Sequence, residues 1–194
     1  MRKKHSRRFN KAQAMVDSSK VYELSDAVRL LKTLPAVRFT ESVEIAVRLG
    51  IDPKKTDQLV RGSVSLPKGT GKSVRIAVFA EGDKAKEAEA AGADIVGSQD
   101  LADKIQGGFD DFDMTIAAPD MMKHVGKLGR VLGPSGKMPS PKAGTVTPNI
   151  ADAVREFKAG KIEFRTDAGA NVHAAIGQSS FDADDLVANI SAFV

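Results

Sequence analysis

Three groupings along this chain have residue types and spacings that suggest chemistry. Gly69-Thr70-Gly71-Lys72-Ser73 ends like a phosphate-binding P-loop, whose glycine amides cradle phosphate while the lysine offsets its charge. That motif needs a glycine where Leu66 stands, and it opens a helix, whereas a strand pattern follows here. The segment reads as a hinge. Asp110, Asp111 and Asp113 hint at metal or acid–base work, but no His is near and the interleaved glycine of a calcium loop is missing. They read as a solvated turn. His5, His124 and His173 lie in three separate segments, with no His-x₃-His spacing and no Ser/His/Asp order, so no catalytic residue emerges.

The third grouping is the most informative. From Gly126 to Val146 the chain is rich in glycine and proline, carries Lys127, Arg130, Lys137 and Lys142, and has no acid. Glycine lets backbone approach a partner closely, proline limits loop entropy, and the cations meet no internal competitor. Long structureless loops tend to be functional, and contact with a polyanion is the natural reading.

Charge is laid out in blocks. Residues 1–20 hold seven Lys/Arg against one acid, residues 81–120 three against eleven, and residues 121–165 nine against three. Two basic regions therefore flank an acidic one, and a polyanion would choose between them. Arg2, Lys3, Lys4, Arg7, Arg8 and Lys11 form a basic arm. By itself the arm fits a targeting signal, a disordered tail or a phosphate-contacting extension. There is no cysteine, which excludes disulfides and thiolate metal sites and fits a reducing cytoplasm. No apolar run has membrane-spanning length. No metal or cofactor is expected.

The elements that must position these groups follow from periodicity. Ser25 is a candidate cap for a helix with Ala27, Val28, Leu30, Leu31 and Leu34 on one face, ended by Pro35. Val43, Ile45, Val47 and Leu49 alternate as in a half-buried strand, and Val60–Leu66 is a second. Next to one helix, these strands imply an α+β layer with antiparallel pairing. From Val74 the pattern becomes strand–helix–strand–helix–strand, then a helix over Asp120–Lys127, as in a parallel Rossmann-like α/β sheet. A helix over Ile150–Lys158 breaks at Ala159-Gly160, after which one-sided strands return and a helix starts at Asp182. The expected fold is therefore α/β and α+β in two domains. A split α+β domain, residues 1–67 and 160–194, holds an inserted Rossmann-like α/β domain, residues 68–159. Its two crossings permit rigid-body rotation.

Gly129–Pro139 resembles the signature of the ribosomal L-one family of the large-subunit side stalk. Leu49-Gly50-Ile51-Asp52-Pro53, Val60–Pro67, Ala90-Ala91-Gly92-Ala93-Asp94 and Gly160–Arg165 are also similar to family motifs, in family order, over essentially the whole chain. The resemblance implies a non-enzymatic structural binder of large-subunit ribosomal RNA. It also implies a part in release of exit-site tRNA, repression through the protein's own mRNA leader, and contact with other large-subunit components in the cytoplasmic ribosome. It assigns the main RNA surface to the split domain. Arg38, Phe39, Thr40, Glu41 and Arg165 belong to that surface by family analogy, with Lys3, Arg7, Arg8, Lys161 and His173 beside them. Lys127, Arg130, Lys137 and Lys142 form a secondary basic loop. Phe39 is either a stacking platform or core, and Arg165 either an RNA contact or a partner of Glu163 or Glu41. Family members continue past the last helix into a strand with a Thr-Met-Gly-type contact, whereas this sequence stops at Phe193-Val194. The rival reading is a small nucleotide-binding enzyme on the central Rossmann-like domain. The absence of any strand–G-x-G-x-x-G–helix unit argues against it.

Overall fold

The computed structural model describes residues 5–194, so Lys3 lies outside the described residues. The chain is a mixed α/β protein with small sheets. Helix α1 (Arg7–Met15) buries none of its residues and is capped by Ser6, whose Oγ accepts from the Phe9 amide at 3.2 Å. Helix α2 (Leu24–Thr33) is capped by the extended backbone of Glu23, not by Ser25, which falls inside its first turn. The Ala27 amide donates to the Glu23 carbonyl at 2.9 Å and so begins the helix two residues earlier than the serine suggested. The helix seats Val28 in the core.

Strands β1 (Ser42–Arg48) and β2 (Arg61–Ser65) do not pair with each other. Each takes an antiparallel partner from the far end of the chain: β6 (Lys161–Arg165) pairs with β2, and β7 (Asn171–Gln178) pairs with β1. A bridge between Thr166 and Val172 joins the two pairs through the turn after β6. A bulge between Val43 and Glu44 shifts the register near the start of β1. Helices α2 and α8 (Ala183–Phe193) cover one face, and Val28, Ile176, Leu186 and Ile190 form its core.

The middle of the chain builds a three-stranded parallel sheet from β3 (Ile76–Phe79), β4 (Ile95–Gly97) and β5 (Met114–Ala117), in the order β4-β3-β5. Every residue of β3 is buried, as the unbroken apolar run requires of a strand covered on both faces. Helices α3 (Asp83–Ala90) and α4 (Gln99–Gln106) connect the strands.

The expected helix over Asp120–Lys127 is instead a relay of short pieces. It consists of a 3₁₀ turn at Pro119–Met121, helix α5 (Met122–Val125), a second 3₁₀ turn at Gly126–Leu128 and helix α6 (Gly129–Leu132). The glycine-rich stretch is thus not structureless. Val125, Leu128 and Leu132 recur at helical spacing and are buried, and that burial outweighs the poor helix propensity of Gly126 and Gly129. A further 3₁₀ turn spans Pro141–Ala143, and α7 (Ile150–Ala159) completes this core with Ile150, Val154 and Phe157. The chain passes between the two cores at residues 66–71 and 159–160, where the Leu66 amide donates to the Gly160 carbonyl at 3.2 Å.

Candidate nucleic-acid interface

The loop between α2 and β1 carries Arg38, Phe39 and Thr40 to the rim of a groove of about 680 Å³. Arg8 of α1 lines one side and Ser179-Ser180 of the β7–α8 turn the other. Phe39 is 71% exposed, so it is not core. An exposed ring held on a basic rim offers a flat apolar face for a ribose or base, at little rotamer cost. Arg38 is exposed and enters no ion pair among the described residues, which leaves its guanidinium able to fork onto phosphate. Arg8 reaches across the groove, its Nη1 donating to the Pro35 carbonyl at 3.4 Å and standing 3.6 Å from the Glu41 carboxylate. Arg7 lies exposed on the same helix.

The backbone under Phe39 is firmly tied. The Glu41 amide donates to Ser179 Oγ at 3.0 Å, and the Ser179 amide donates to the Glu41 carbonyl at 2.8 Å. These bonds extend the β1–β7 ladder beyond the Ser42–Gln178 pair.

A second set of residues lies on the exposed face of the antiparallel strands. Ala46 pairs with His173, and Arg61 with Arg165. The register of the Thr166–Val172 bridge brings Arg165 beside His173, so a row of Ala46, His173, Arg165 and Arg61 crosses the four strands. Ala46 lies five residues along from Glu41, about 17 Å at the usual strand rise. The groove and the row are thus neighbouring patches of one surface, not one pocket. Arg165 pairs with neither Glu163 nor Glu41: Glu163 is taken by Arg61 at 2.5 Å and Glu41 by Arg8. His173 Nε2 stands 3.4 Å from Asp167. The Asn171 backbone N–H, against the cost of desolvation, holds the Asp167 carboxyl below the ordinary aspartate range. The Asn171 side chain, the Gly169 amide and His173 add to that shift.

Two of the expected cations are engaged elsewhere. Lys161 donates to Glu156 at 2.6 Å, lies over the Phe157 ring and is mostly covered. Lys137 donates to Asp110 at 2.5 Å, sits over the Phe112 ring and has a side chain only 17% exposed. Lys127, Arg130 and Lys142 are exposed and enter no ion pair among the described residues. Sequence reasoning passed over Lys32, Arg61, Ser179 and Ser180. Only Arg61 left a signal, as a cation alternating outward on a predicted strand. Among the described residues no three His, Asp or Glu gather as a metal site.

A sequence model of the ribosomal protein L1p/L10e family matches residues 30–194. The large ribosomal subunit protein uL1 of Corynebacterium glutamicum strain R is 53% identical over 191 residues, covering 98% of this chain and 81% of that protein. The corresponding protein of Kosmotoga olearia is 52% identical over 187 residues, 96% of this chain and 81% of the relative. That of Saccharopolyspora erythraea is 56% identical over 189 residues, 97% of this chain and 79% of the relative.

Proposed function

We propose, from the premise that this chain belongs to the ribosomal protein L1p/L10e family, that it is a structural, RNA-binding constituent of the large ribosomal subunit. It is a ribosomal protein and not an enzyme. Its RNA is large-subunit ribosomal RNA of the mobile side stalk. The observation that carries this reading is the exposed Phe39 on a rim with Arg38, above a groove lined by Arg8 and by a hydrogen-bonded backbone. A rigid exposed aromatic and arginine guanidinium groups on a firmly tied backbone suit irregular RNA better than they suit a small molecule.

In this reading the chain forms a split RNA-binding domain, residues 1–67 and 160–194, and an inserted Rossmann-like domain, residues 68–159. Two separate cores and a two-strand crossing support that division. Arg38, Phe39, Thr40 and Glu41 make the primary contact, with Arg7, Arg8, Arg165 and His173 beside them. Lys127, Arg130 and Lys142 serve as a secondary basic surface. Swinging of the stalk accompanies release of exit-site tRNA, and the same surface takes a similar fold in the protein's own mRNA leader. Both roles rest on the family likeness, as does placement in the cytoplasmic ribosome. No helix among the described residues is long and apolar enough to cross a membrane.

Titration with a side-stalk ribosomal RNA fragment over a salt series tests the proposal. Binding should be tight, with a slope of log affinity against log salt of roughly −0.7 to −0.9 per phosphate contact. Weak binding, or no salt dependence, contradicts it. The same titration with residues 69–158 replaced by a short linker tests the domain assignment. The split domain should keep most of the affinity.

A further inference from the structure

Lys32 is a cation of the last turn of α2 and lines the groove, so by residue type it would be counted among the phosphate contacts. Its hydrogen bonds point elsewhere. The Nζ donates to the Ser179 carbonyl at 2.9 Å and to the Phe181 carbonyl at 2.5 Å, which commits two of its three protons to one backbone turn. Among the described residues no carboxylate competes for it. That turn is the one whose Ser179 exchanges two hydrogen bonds with the Glu41 backbone. Glu41 ends the loop that presents Arg38, Phe39 and Thr40.

We infer that Lys32 is a positioning residue of the RNA groove, holding the β7–α8 turn so that the turn can hold the Phe39 loop. The inference rests on the RNA reading above. It follows a continuous path from α2 through the Lys32 ammonium to residues 179–181, then to Glu41, then to the rim. Without the ammonium, two turn carbonyls lose their shared donor, and only apolar packing of Leu24, Val28 and Phe181 in one cluster still ties α2 to the turn. The loop then pays an ordering cost at the moment RNA arrives, and affinity falls although no RNA contact has been removed. A phosphate contact behaves differently, because its removal lowers the number of counterions released.

The experiment compares the wild-type protein with Lys32→Met, which keeps the aliphatic stem. Binding to the side-stalk RNA fragment is measured over a salt series well below melting, and amide hydrogen exchange is measured on the protein without RNA. Affinity should fall about tenfold, as expected for unpinning one loop. The salt slope should stay within less than one contact of wild type, and exchange should quicken at Glu41 and Ser179 while the β3 and β5 amides are unchanged. A slope reduced by about 0.7–0.9 with exchange unchanged makes Lys32 a phosphate contact and overturns the inference. Unchanged affinity also overturns it, and so does faster exchange throughout the protein, which marks general destabilisation. Failure of the wild-type protein to bind the fragment would instead sink the RNA reading itself, whereas unchanged exchange in Lys32→Met removes the positioning role alone.

Discussion

A Cβ placed on Gly160 would stand 2.4 Å from the Cα of Gly69, so the two chain crossings touch at their glycines. Gly160 also has φ +113° as the C-cap of α7, a backbone region that side chains avoid. Gly160→Ala should therefore cost about 3 kcal/mol or more in denaturant unfolding, from clash and strain together. Gly50→Ala, where a Cβ meets nothing within 4 Å, should stay within about 0.5 kcal/mol of wild type. Equal stability of the two variants would mean that the crossing is not tight.

Asn189 is fully buried in α8 and holds the first crossing. Its Oδ1 accepts from the Lys68 amide at 2.9 Å, while its Nδ2 donates to the carbonyls of Gly69 and Ile176 at 2.8 and 2.7 Å. Asn189→Ala leaves one donor and two acceptors without partners and should cost about 2–4 kcal/mol. Thermal melting of the variant reads this directly. A loss below about 1 kcal/mol would show that water replaces all three bonds.

The turn between β6 and β7 should be pH-sensitive. Asp167 Oδ1 accepts from the Gly169 amide at 2.8 Å and the Asn171 amide at 2.7 Å, and its folded pKa lies below the unfolded one. A depressed carboxylate contributes stability above its unfolded pKa, about 3.9, and loses it as pH falls through the lower folded value. The stability difference between wild type and Asp167→Asn should be level from neutral pH down to about pH 4 and shrink below that. A difference that grows under acid would reverse the assigned sign.

Lys137 and Lys142 come from the same basic stretch but should separate on mutation. Lys137→Met breaks the pair with Asp110 and should lower the melting temperature with little change in the salt slope of RNA binding. Lys142 is exposed and unpaired among the described residues. If it meets RNA, Lys142→Met should leave melting unchanged and reduce the slope by about 0.7–0.9.

What the sequence reveals of this fold ends at contact order. The alternation of Val43, Ile45 and Val47, and of Ile162 and Phe164, marks strands because one face is buried. Pro67, Gly69 and Gly160 mark the crossings because their backbones are special. Nothing local says that β1 pairs with β7, since partners such as Ala46 and His173 are joined only by long-range register. The same limit hides Lys32, whose acceptors lie 147 and 149 residues away. It also makes Lys137 look like a loop cation, because its partner Asp110 is 27 residues back. Phe39 illustrates a different gap. An aromatic just before a strand can turn inward or outward, and only the packed structure, with the ring 71% exposed, decides.

The central claim is that RNA meets the protein at the Phe39 rim, and Phe39→Ala tests it most directly when binding and melting are measured on the same sample. An exposed ring contributes little to the core, so the melting temperature should barely move. Affinity for the side-stalk RNA fragment should fall by roughly 1–3 kcal/mol if the ring stacks on a base or ribose. Unchanged affinity in a fully folded variant, or a stability loss of about 3–5 kcal/mol typical of a core aromatic, would contradict the account.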